Sequence, residues 1–342
     1  MNLSAIVDPH PDDAPALVSR GDVTTYGALR TQLGELRGAL VRLGVEPGDR
    51  VAIAVANNWF FVTSYLATLG VGAVAVPINP ASPTAEIDGE LRSVRPKALI
   101  TGPAAANAVN GLDRASLGID VVIAPDGSGV EGAESFQGLF GGEAAPIVDR
   151  TPDDLAVMIF TAGTGGAPKA AMLTHSNLLS NIEQAQSAAG HEVLPGDVGL
   201  GVLPMFHIFG LNVVLGIALH AGASVVMVER FDPASAVETI RDRGVTVVAG
   251  APQMFAAMAD LPRVGADDFK TVRLALTGAA PLPPEVAVDF QQRFNVPLRQ
   301  GYGLTEASPV VTASVMEGDP RPYSIGTVLP GIEVRLVDEE GE

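Results

Sequence analysis

A glycine-rich segment with one lysine is the part of the sequence best suited to chemistry. It covers residues 160–169 and reads Phe-Thr-Ala-Gly-Thr-Gly-Gly-Ala-Pro-Lys, directly after an apolar run. Glycines let backbone N–H groups converge on an anion, threonine hydroxyls add hydrogen bonds, and Lys169 adds a positive charge. These residue types in this order indicate a loop that binds the phosphates of a nucleotide.

The segment differs from the P-loop of nucleotide triphosphatases at two positions. Pro168 replaces the glycine before the lysine, and Ala170 replaces the Ser or Thr that holds Mg²⁺. The sequence therefore disfavours a P-loop enzyme. A plain connection between a strand and a helix is the alternative explanation of such a turn taken by itself.

Three further clusters combine small or aromatic residues with a polar side chain. In Gly-Tyr-Gly-Leu-Thr-Glu at 301–306, Tyr302 can stack on a base and Glu306 can ligate Mg²⁺. Thr-Gly-Ala-Ala-Pro-Leu at 277–282 follows a predicted strand, where a ligand can approach the backbone closely. Pro-Met-Phe-His at 204–207 places one histidine in an aromatic-rich turn. Each cluster alone is also compatible with an ordinary turn, a helix start or a structural histidine.

The composition describes a compact, acidic protein. The chain has 342 residues, 47% of them hydrophobic and 18% charged, which suits a globular protein of about two domains. The formal net charge of −18 argues against a nucleic-acid or anionic-membrane partner, because both need a basic surface. Cysteine is absent, which excludes disulfides, thiolate metal sites and a cysteine nucleophile. We expect a cytoplasmic protein.

Hydrophobic patterning predicts an α/β protein built from two packed α/β subdomains with mainly parallel sheets. Leucines between 29 and 43 fall on one helical face, and Gly44 follows that helix. Glycines and prolines interrupt the uncharged segments 51–85 and 209–228, which indicates strands and helices and not membrane spans. Strands are predicted at 51–56, 73–77, 98–101, 120–124, 155–160, 199–203, 224–228, 246–250, 272–277 and 297–300, with another beginning at 332–337.

The predicted organisation has three parts. A first subdomain covers residues 1–180 and includes the glycine-rich loop, and a second covers residues 181–325. A small β subdomain begins within residues 326–342. The N-terminus lacks the basic start and apolar run of a signal peptide.

Taken together, the four clusters resemble the acyl-activating, adenylate-forming superfamily of AMP-binding enzymes in their order and spacing. Lesser motifs at 69–77 and 323–326 agree, and the resemblance extends from about residue 24 to the end of the sequence. Within the superfamily, the chain is most similar to fatty-acyl-CoA and coumarate-type CoA ligases.

The resemblance implies a two-step reaction. A carboxylate attacks the α-phosphate of ATP, pyrophosphate leaves, and the acyl group then passes to coenzyme A. It implies an acid–thiol ligase of the fatty-acyl-CoA synthetase type, with Mg²⁺, ATP and coenzyme A as its cofactor and co-substrates. Because the first step brings two anions together, the site must align them and neutralise charge.

The resemblance also assigns roles to individual residues. Lys169 would hold phosphates, Tyr302 would stack on adenine, and His207 would lie at the mouth of the acyl pocket. The implied ATP-binding residues are Thr161, Ala162, Gly163, Thr164, Gly165, Gly166, Lys169, Gly278, Ala279, Ala280, Pro281, Gly301, Tyr302, Gly303 and Thr305. The implied acyl-binding residues are His207, Phe209 and Gly303, and the implied metal ligands are Thr161 and Glu306.

The sequence departs from the family pattern in the loop. Ala162 and Gly165 replace a usual Ser and Thr, each removing a hydroxyl that could add ~1 kcal/mol to phosphate binding. Ala170 replaces a usual glycine. The family's catalytic lysine would lie beyond Glu342, so we assign no catalytic residue here. We expect the 342-residue chain to bind an adenylate better than it makes one.

Several alternatives differ in chemistry. A catalytically silent adenylate-binding protein would suit the altered loop, and a fatty-acyl-AMP ligase would deliver to a carrier protein, although Gly166 favours coenzyme A as acceptor. A generic nucleotide hydrolase would release ADP and phosphate. The aliphatic segment 206–217 and an aromatic content of 5% favour a fatty acid over an aromatic acid, and no charged anchor supports an amino acid. A homodimer and peripheral association with a membrane are further expectations.

Overall fold

The computed structural model describes residues 1–161, 169–190, 192–314 and 323–338. Helices and strands alternate along these residues, as the sequence predicts. The helices are α1 (Tyr26–Arg42), α2 (Trp59–Gly70), α3 (Thr84–Val94), α4 (Ala106–Asn110), α5 (Arg114–Leu117), α6 (His175–Gln186), α7 (Ile217–Ala221), α8 (Pro233–Arg243), α9 (Pro252–Ala259) and α10 (Pro284–Phe294). A π-helix covers Phe209–Gly216, and 3₁₀ turns cover Leu3–Val7, Pro103–Ala105, Gln137–Leu139, Ala266–Phe269 and Thr305–Ala307.

The strands form two sheets within the described residues. They are β1 (Pro15–Ser19), β2 (Asp22–Thr25), β3 (Arg50–Ala54), β4 (Val74–Pro77), β5 (Ala98–Thr101), β6 (Val121–Ala124), β7 (Glu134–Ser135), β8 (Leu155–Thr161), β9 (Lys169–Thr174), β10 (Val198–Gly201), β11 (Ser224–Met227), β12 (Val247–Gly250), β13 (Leu274–Thr277), β14 (Leu298–Gly303), β15 (Val310–Ala313) and β16 (Thr327–Val328). The first sheet has the order β7-β6-β5-β3-β4-β8-β9, and the second has the order β16-β15-β14-β13-β12-β10-β11-β1-β2.

Most neighbouring strands are parallel, which confirms the predicted fold class. The exceptions are at the edges, where β8–β9, β1–β2, β14–β15 and β15–β16 are antiparallel. Parallel strands need helical crossovers on the sheet faces, and the alternating helices supply them.

A continuous apolar core packs the two sheets together. One buried cluster contains Val51 and Val157 from the first sheet, Leu17 and Val225 from the second, and Phe61 from α2. Removal of this apolar surface from water is the main force that stabilises the pairing of the two layers.

Local sequence explains the first long helix. The hydroxyl of Thr25 accepts a hydrogen bond from the N–H of Ala28 and caps the start of α1. Gly44 follows the helix with a φ of +84°, a conformation that glycine adopts readily. The leucines predicted on one face are buried at positions 29, 33, 36 and 40.

The two long apolar segments fold as short elements, as predicted. Residues 51–85 contain α2 between β3 and β4, and residues 209–228 contain the π-helix, α7 and β11. In the described parts of the chain, no helix combines the length and the hydropathy needed to cross a bilayer.

The structure adds a strand after the glycine-rich segment. β9 pairs antiparallel with β8, and Thr161 lies opposite Lys169. The segment therefore connects two antiparallel strands, and its interpretation as a plain connection between a strand and a helix is wrong. Helix α6 starts only at His175, after β9.

Two other local predictions are also wrong. Residues 332–337 do not form a strand, because no described strand pairs with them; the side chains of Val334 and Leu336 are exposed. Gly301 and Tyr302 do not follow a strand that ends at 300 but belong to β14, which antiparallel pairing with β15 prolongs.

The N-terminal strands join the sheet that is more distant in sequence. β1 pairs with β11 and β2 pairs with β1, so residues 15–25 belong to the second sheet. The predicted domain boundaries at 180 and 325 remain predictions.

Candidate active site

A cavity of about 340 Å³ lies on the second sheet. Residues of β10, β12, β13, β14, β15 and the π-helix line it. Three of the predicted clusters meet there, represented by Pro204 and His207, by residues 277–279 and by residues 301–305. Their meeting point is the carboxyl end of parallel strands, the usual position of ligand sites in α/β sheets.

The register of the strands gives the depth of the cavity. Near the strand ends, Thr277 of β13 pairs with Gly250 of β12. Three residues earlier in β12, Val247 pairs with Gly199 of β10. All of these except Gly250 line the cavity. Three residues of strand correspond to about 10 Å, so the cavity is an elongated slot along the sheet.

The wall of the cavity carries no formal charge. No Asp, Glu, Lys or Arg of the described residues lines it. The polar side chains on its wall are His207, Thr277, Gln300, Tyr302, Thr305 and Thr312. A charged group inside it would therefore lack an ionic partner, which favours an apolar ligand.

Thr277 carries an unusual polar atom. Its side chain is 1% exposed, and its hydroxyl has no hydrogen-bond partner among the described residues. Buried hydroxyls are normally paired, and an unpaired one at a cavity indicates a possible contact with a ligand.

Glycines permit close packing around the cavity. A Cβ on Gly303 would overlap the carbonyl oxygen of Pro309, so only glycine fits there. A Cβ on Gly278 would lie 3.3 Å from the ring of Phe209, whose side chain can shift. Ala279, within the 277–282 cluster, has a φ of +67°, a left-handed conformation that costs a non-glycine residue about 1 kcal/mol.

His207 faces the cavity with an exposed side chain. Loss of hydration next to the surrounding protein lowers the pKa of its imidazole below the ordinary value of 6.5. The imidazole is therefore neutral at pH 7, consistent with the absence of charge on the cavity wall.

Two buried asparagines hold the turn that carries Glu306. Asn212, in the π-helix, donates from Nδ2 to the carbonyls of Leu178 (3.1 Å) and Ser308 (2.8 Å). Asn181, in α6, exchanges hydrogen bonds of 2.8 and 3.0 Å with the carbonyl and N–H of Val310. The turn is thereby tied to the helix that follows β9 and to the helix that forms the cavity wall.

The same turn lies beside β9. Residues of the 3₁₀ turn Thr305–Ala307 contact β9, the strand that begins at Lys169. Lys169 and Glu306 are both exposed, and no described residue forms an ion pair with either. Within the described part of the chain, a cation and a carboxylate without ionic partners are thus carried by β9 and by the turn that contacts it.

The residues fit a magnesium ion held mainly by a nucleotide. The described residues contain no group of three or more His, Asp or Glu that could hold a metal by themselves. Mg²⁺ commonly takes one or two protein carboxylates and completes its shell with phosphates and water. Glu306 suits that role, and Thr161 lies across β8–β9 from Lys169.

Of the thirteen predicted site residues that the structure describes, eight line the cavity. His207, Phe209, Gly278, Ala279, Gly301, Tyr302, Gly303 and Thr305 line the cavity. Ala280 and Pro281 do not, although the Ala280 carbonyl accepts a hydrogen bond of 3.5 Å from Gln300. Ala162, Gly163, Thr164, Gly165 and Gly166 lie outside the described residues. The assigned roles remain predictions.

The sequence does not predict several other cavity residues. They come from α6, the turn before β10, the π-helix, β12 and β15, and include Ala185, Val193, Val213, Val247 and Val310. Their signal in the sequence is apolar periodicity, which is the same for a cavity wall and for a filled core.

Comparisons with known proteins agree with these observations. The profile of the family described as "AMP-binding enzyme" matches residues 3–342. 4-Coumarate–CoA ligase 2 of Oryza sativa subsp. japonica is 33% identical over 350 residues, covering 96% of this chain and 62% of the rice protein. 4-Coumarate–CoA ligase 3 of Arabidopsis thaliana is 33% identical over 341 residues, covering 96% and 60%. The chain thus spans less than two thirds of the length of these relatives.

Solved structures of similar fold cover the whole of this chain. Apo MatB from Rhodopseudomonas palustris superimposes with a TM-score of 0.89 at 29% identity, covering 100% of this chain and 68% of MatB. A protein described as a putative long-chain-fatty-acid CoA ligase from Rhodopseudomonas palustris CGA009 gives a TM-score of 0.87 at 28% identity, covering 100% and 85%. With the family profile matched along nearly its whole length, the chain belongs to the AMP-binding enzyme family.

Proposed function

We propose that this chain is the ATP- and acid-binding part of an acid–CoA ligase that works through an acyl-adenylate. The observation that carries the proposal is the meeting of three family motifs at one uncharged cavity, beside a turn that presents Glu306 next to β9. Membership of the AMP-binding family supports it. The complete reaction is a proposal, since the chain covers 62% of the rice relative.

Positively and negatively charged residues would have different roles in binding the nucleotide. Lys169 would bind the terminal phosphates, and Tyr302, 47% exposed at the cavity mouth, would offer its ring to adenine. Glu306 and Thr161 would hold Mg²⁺, which when bound supplies neutralising charge at the phosphates. The carboxylate oxygen bonds to the α-phosphorus and pyrophosphate leaves, so the protein has to align two anions and needs no covalent nucleophile.

We propose an aliphatic monocarboxylic acid, of the fatty-acid type, as the substrate. The described residues of the cavity wall are uncharged, and Val213, Val214 and Ile217 give it aliphatic side chains. A second acidic group would have no partner there, so dicarboxylic acids are disfavoured.

A coumarate-type aromatic acid is the second candidate. Curated relatives at 33% identity are named 4-coumarate–CoA ligases. A slot about 10 Å long also accommodates a ring with a short extension. Coenzyme A is the proposed acceptor, in line with those names, and delivery to a carrier protein is the alternative.

Calorimetric titration with hydrolysis-resistant acyl-adenylate analogues tests the proposal without needing turnover. The series contains saturated acyl chains of increasing length and a coumaroyl analogue, and MgATP is titrated separately. We expect binding that strengthens with chain length up to a limit. A preference for the coumaroyl analogue would favour the second candidate.

Three variants locate the phosphate and metal sites. Lys169→Ala should weaken MgATP binding about tenfold, because a charge-assisted contact is lost, and should leave adenylate analogues nearly unaffected, since they lack the β- and γ-phosphates. Glu306→Ala should weaken MgATP binding and its dependence on Mg²⁺. Lys270→Ala removes an exposed lysine away from the cavity and serves as the matched control. Failure of every analogue to bind, or release of ADP from ATP, would contradict the proposal.

A further inference from the structure

A strap of irregular chain contributes to the wall of the cavity. The strap consists of residues 192–197, between α6 and β10. Val193 of the strap and Ala185 of α6 line the cavity, as do Gly199 and Val247 at the starts of β10 and β12. Val193 therefore belongs to the segment that leads directly into the strand starts, the level at which the slot reaches deepest along the sheet.

A side chain holds Val193 in place. Gln186, the last residue of α6, donates from Nε2 to the Val193 carbonyl at 3.0 Å and accepts from the Val193 N–H at 2.8 Å. The two bonds copy the pattern of neighbouring strands, although Val193 belongs to no strand. On this side, Val193 is held by a glutamine amide and not by regular secondary structure.

The opposite side of the strap is anchored to the second sheet. Asp197 accepts hydrogen bonds from the Leu194 N–H (2.7 Å), from Thr246 (2.7 Å) and from Arg273 (2.8 Å). Arg273 also donates to the carbonyl of Glu192 at 2.7 Å. Anchored on both sides, the strap presents the Val193 side chain to the cavity as a fixed wall.

We propose that Val193, held by Gln186, is the end wall of the acyl slot and sets the longest acyl chain that the protein accepts. The inference rests on the proposed function, because it assumes that the cavity binds the acyl group. From the level of Thr277 to that of Val247 the slot measures about 10 Å, which fits a chain of medium length. A longer chain would have to displace Val193.

The acyl-length profile of binding tests the inference on the folded 342-residue chain. The probes are the saturated acyl-adenylate analogues, lengthened two carbons at a time, titrated by calorimetry. Val193→Phe should weaken the longest analogue that the wild type binds well by about tenfold and leave the shortest within about twofold. Val193→Gly should move the preferred length upward.

Gln186→Leu tests whether the hydrogen bonds to Val193, and not only the Val193 side chain, limit the acyl length. It keeps the side-chain size but removes both hydrogen bonds, so the profile should broaden towards longer chains while the shortest analogue binds as in wild type. Val288→Phe alters a half-exposed valine on α10 that does not line the cavity and is the matched control.

The outcomes are separable from those of the proposed function. No binding of any analogue to the wild type would defeat the proposed function itself. An unchanged length profile in Val193→Phe and Val193→Gly, with normal wild-type binding, would overturn only the end-wall inference. A uniform loss at all lengths would also overturn it, because it would show that the strap supports the fold instead of limiting the ligand.

Discussion

Thr277 shows how the environment of a single atom links stability to binding. Thr277 lines the cavity, and its buried hydroxyl has no partner among the described residues. The other unpaired buried polar atoms of those residues lie away from the cavity. A desolvated, unpaired hydroxyl destabilises the free protein, and a ligand that pairs with it regains that energy on binding.

Replacement of Thr277 by valine tests this account. Val keeps the shape and removes the hydroxyl, so the free energy of unfolding of the free protein should rise by about 1 kcal/mol. Binding of acyl-adenylate analogues should weaken several-fold. Urea denaturation and calorimetry measure the two effects; a loss of stability in the Val variant would show that the hydroxyl is already satisfied.

At the scale of elements, the π-helix joins the cavity to the turn that carries Glu306. Phe209–Gly216 forms part of the cavity wall, and its buried Asn212 is bonded to the carbonyls of Leu178 and Ser308. π-Helices are rare and often occur at functional sites, because the wider turn re-aims side chains. Here it directs an amide towards two separate elements.

Asn212→Leu should affect both stability and metal-dependent binding. Loss of two buried hydrogen bonds should lower the free energy of unfolding by about 2 kcal/mol. The turn carrying Glu306 should also become less constrained, so MgATP should bind more weakly while the acyl preference stays the same. Asn110→Leu removes the hydrogen bonds that this exposed side chain makes with Gly129, Arg114 and Glu131, and it is the control. Unchanged MgATP affinity in Asn212→Leu would limit that asparagine to a structural role.

At the scale of the whole molecule, two buried ionisable groups give opposite dependences of stability on pH. Burial, with a contribution from Arg150, lowers the pKa of His175 from 6.5 to about 4. Burial, with a contribution from Glu86, raises the pKa of Glu90 from 4.5 to about 7. His175 accepts a hydrogen bond from the Leu3 N–H at 3.1 Å and so ties the N-terminal turn to α6.

The direction in which stability changes with pH depends on whether the folded or the unfolded state binds more protons. Below pH 6.5 the unfolded state binds the His175 proton more readily, so stability from this group falls as the pH drops towards 4. Above pH 4.5 the folded state binds the Glu90 proton more readily, so stability from that group falls as the pH rises towards 7. Each effect amounts to about 3 kcal/mol over its full interval.

Urea denaturation from pH 4.5 to 7.5 checks these slopes in His175→Gln and Glu90→Gln. Relative to wild type, His175→Gln should lose less stability as the pH falls, and Glu90→Gln should lose less as it rises. Parallel curves for wild type and both variants would contradict the assignment. Comparison between variants cancels the common effect of the chain's other carboxylates.

The sequence by itself determined the α/β class, most strands and the family motifs. Apolar runs such as 51–56 predict buried parallel strands, and Gly44 marks the end of α1, because these signals depend on nearby residues only. The motifs are equally local, since a turn that binds phosphate or stacks on a base needs particular residues in sequence.

Only the tertiary structure decided how these parts meet. β9 forms because β8 lies beside it and supplies hydrogen-bonding partners. Residues 332–337 do not form a strand, because no described strand lies beside them to pair with. β1 joins β11 across some 200 residues of chain, a pairing that local patterns do not encode.

The cavity too is a product of the tertiary structure. Val193 and Val213 are apolar like core residues, and the sequence does not distinguish them from the core. The packing of the π-helix over the sheet leaves the cavity that they line. Apolar side chains are chosen for burial whether they pack against protein or against a ligand, so the sequence indicates a core and the structure shows where it is hollow.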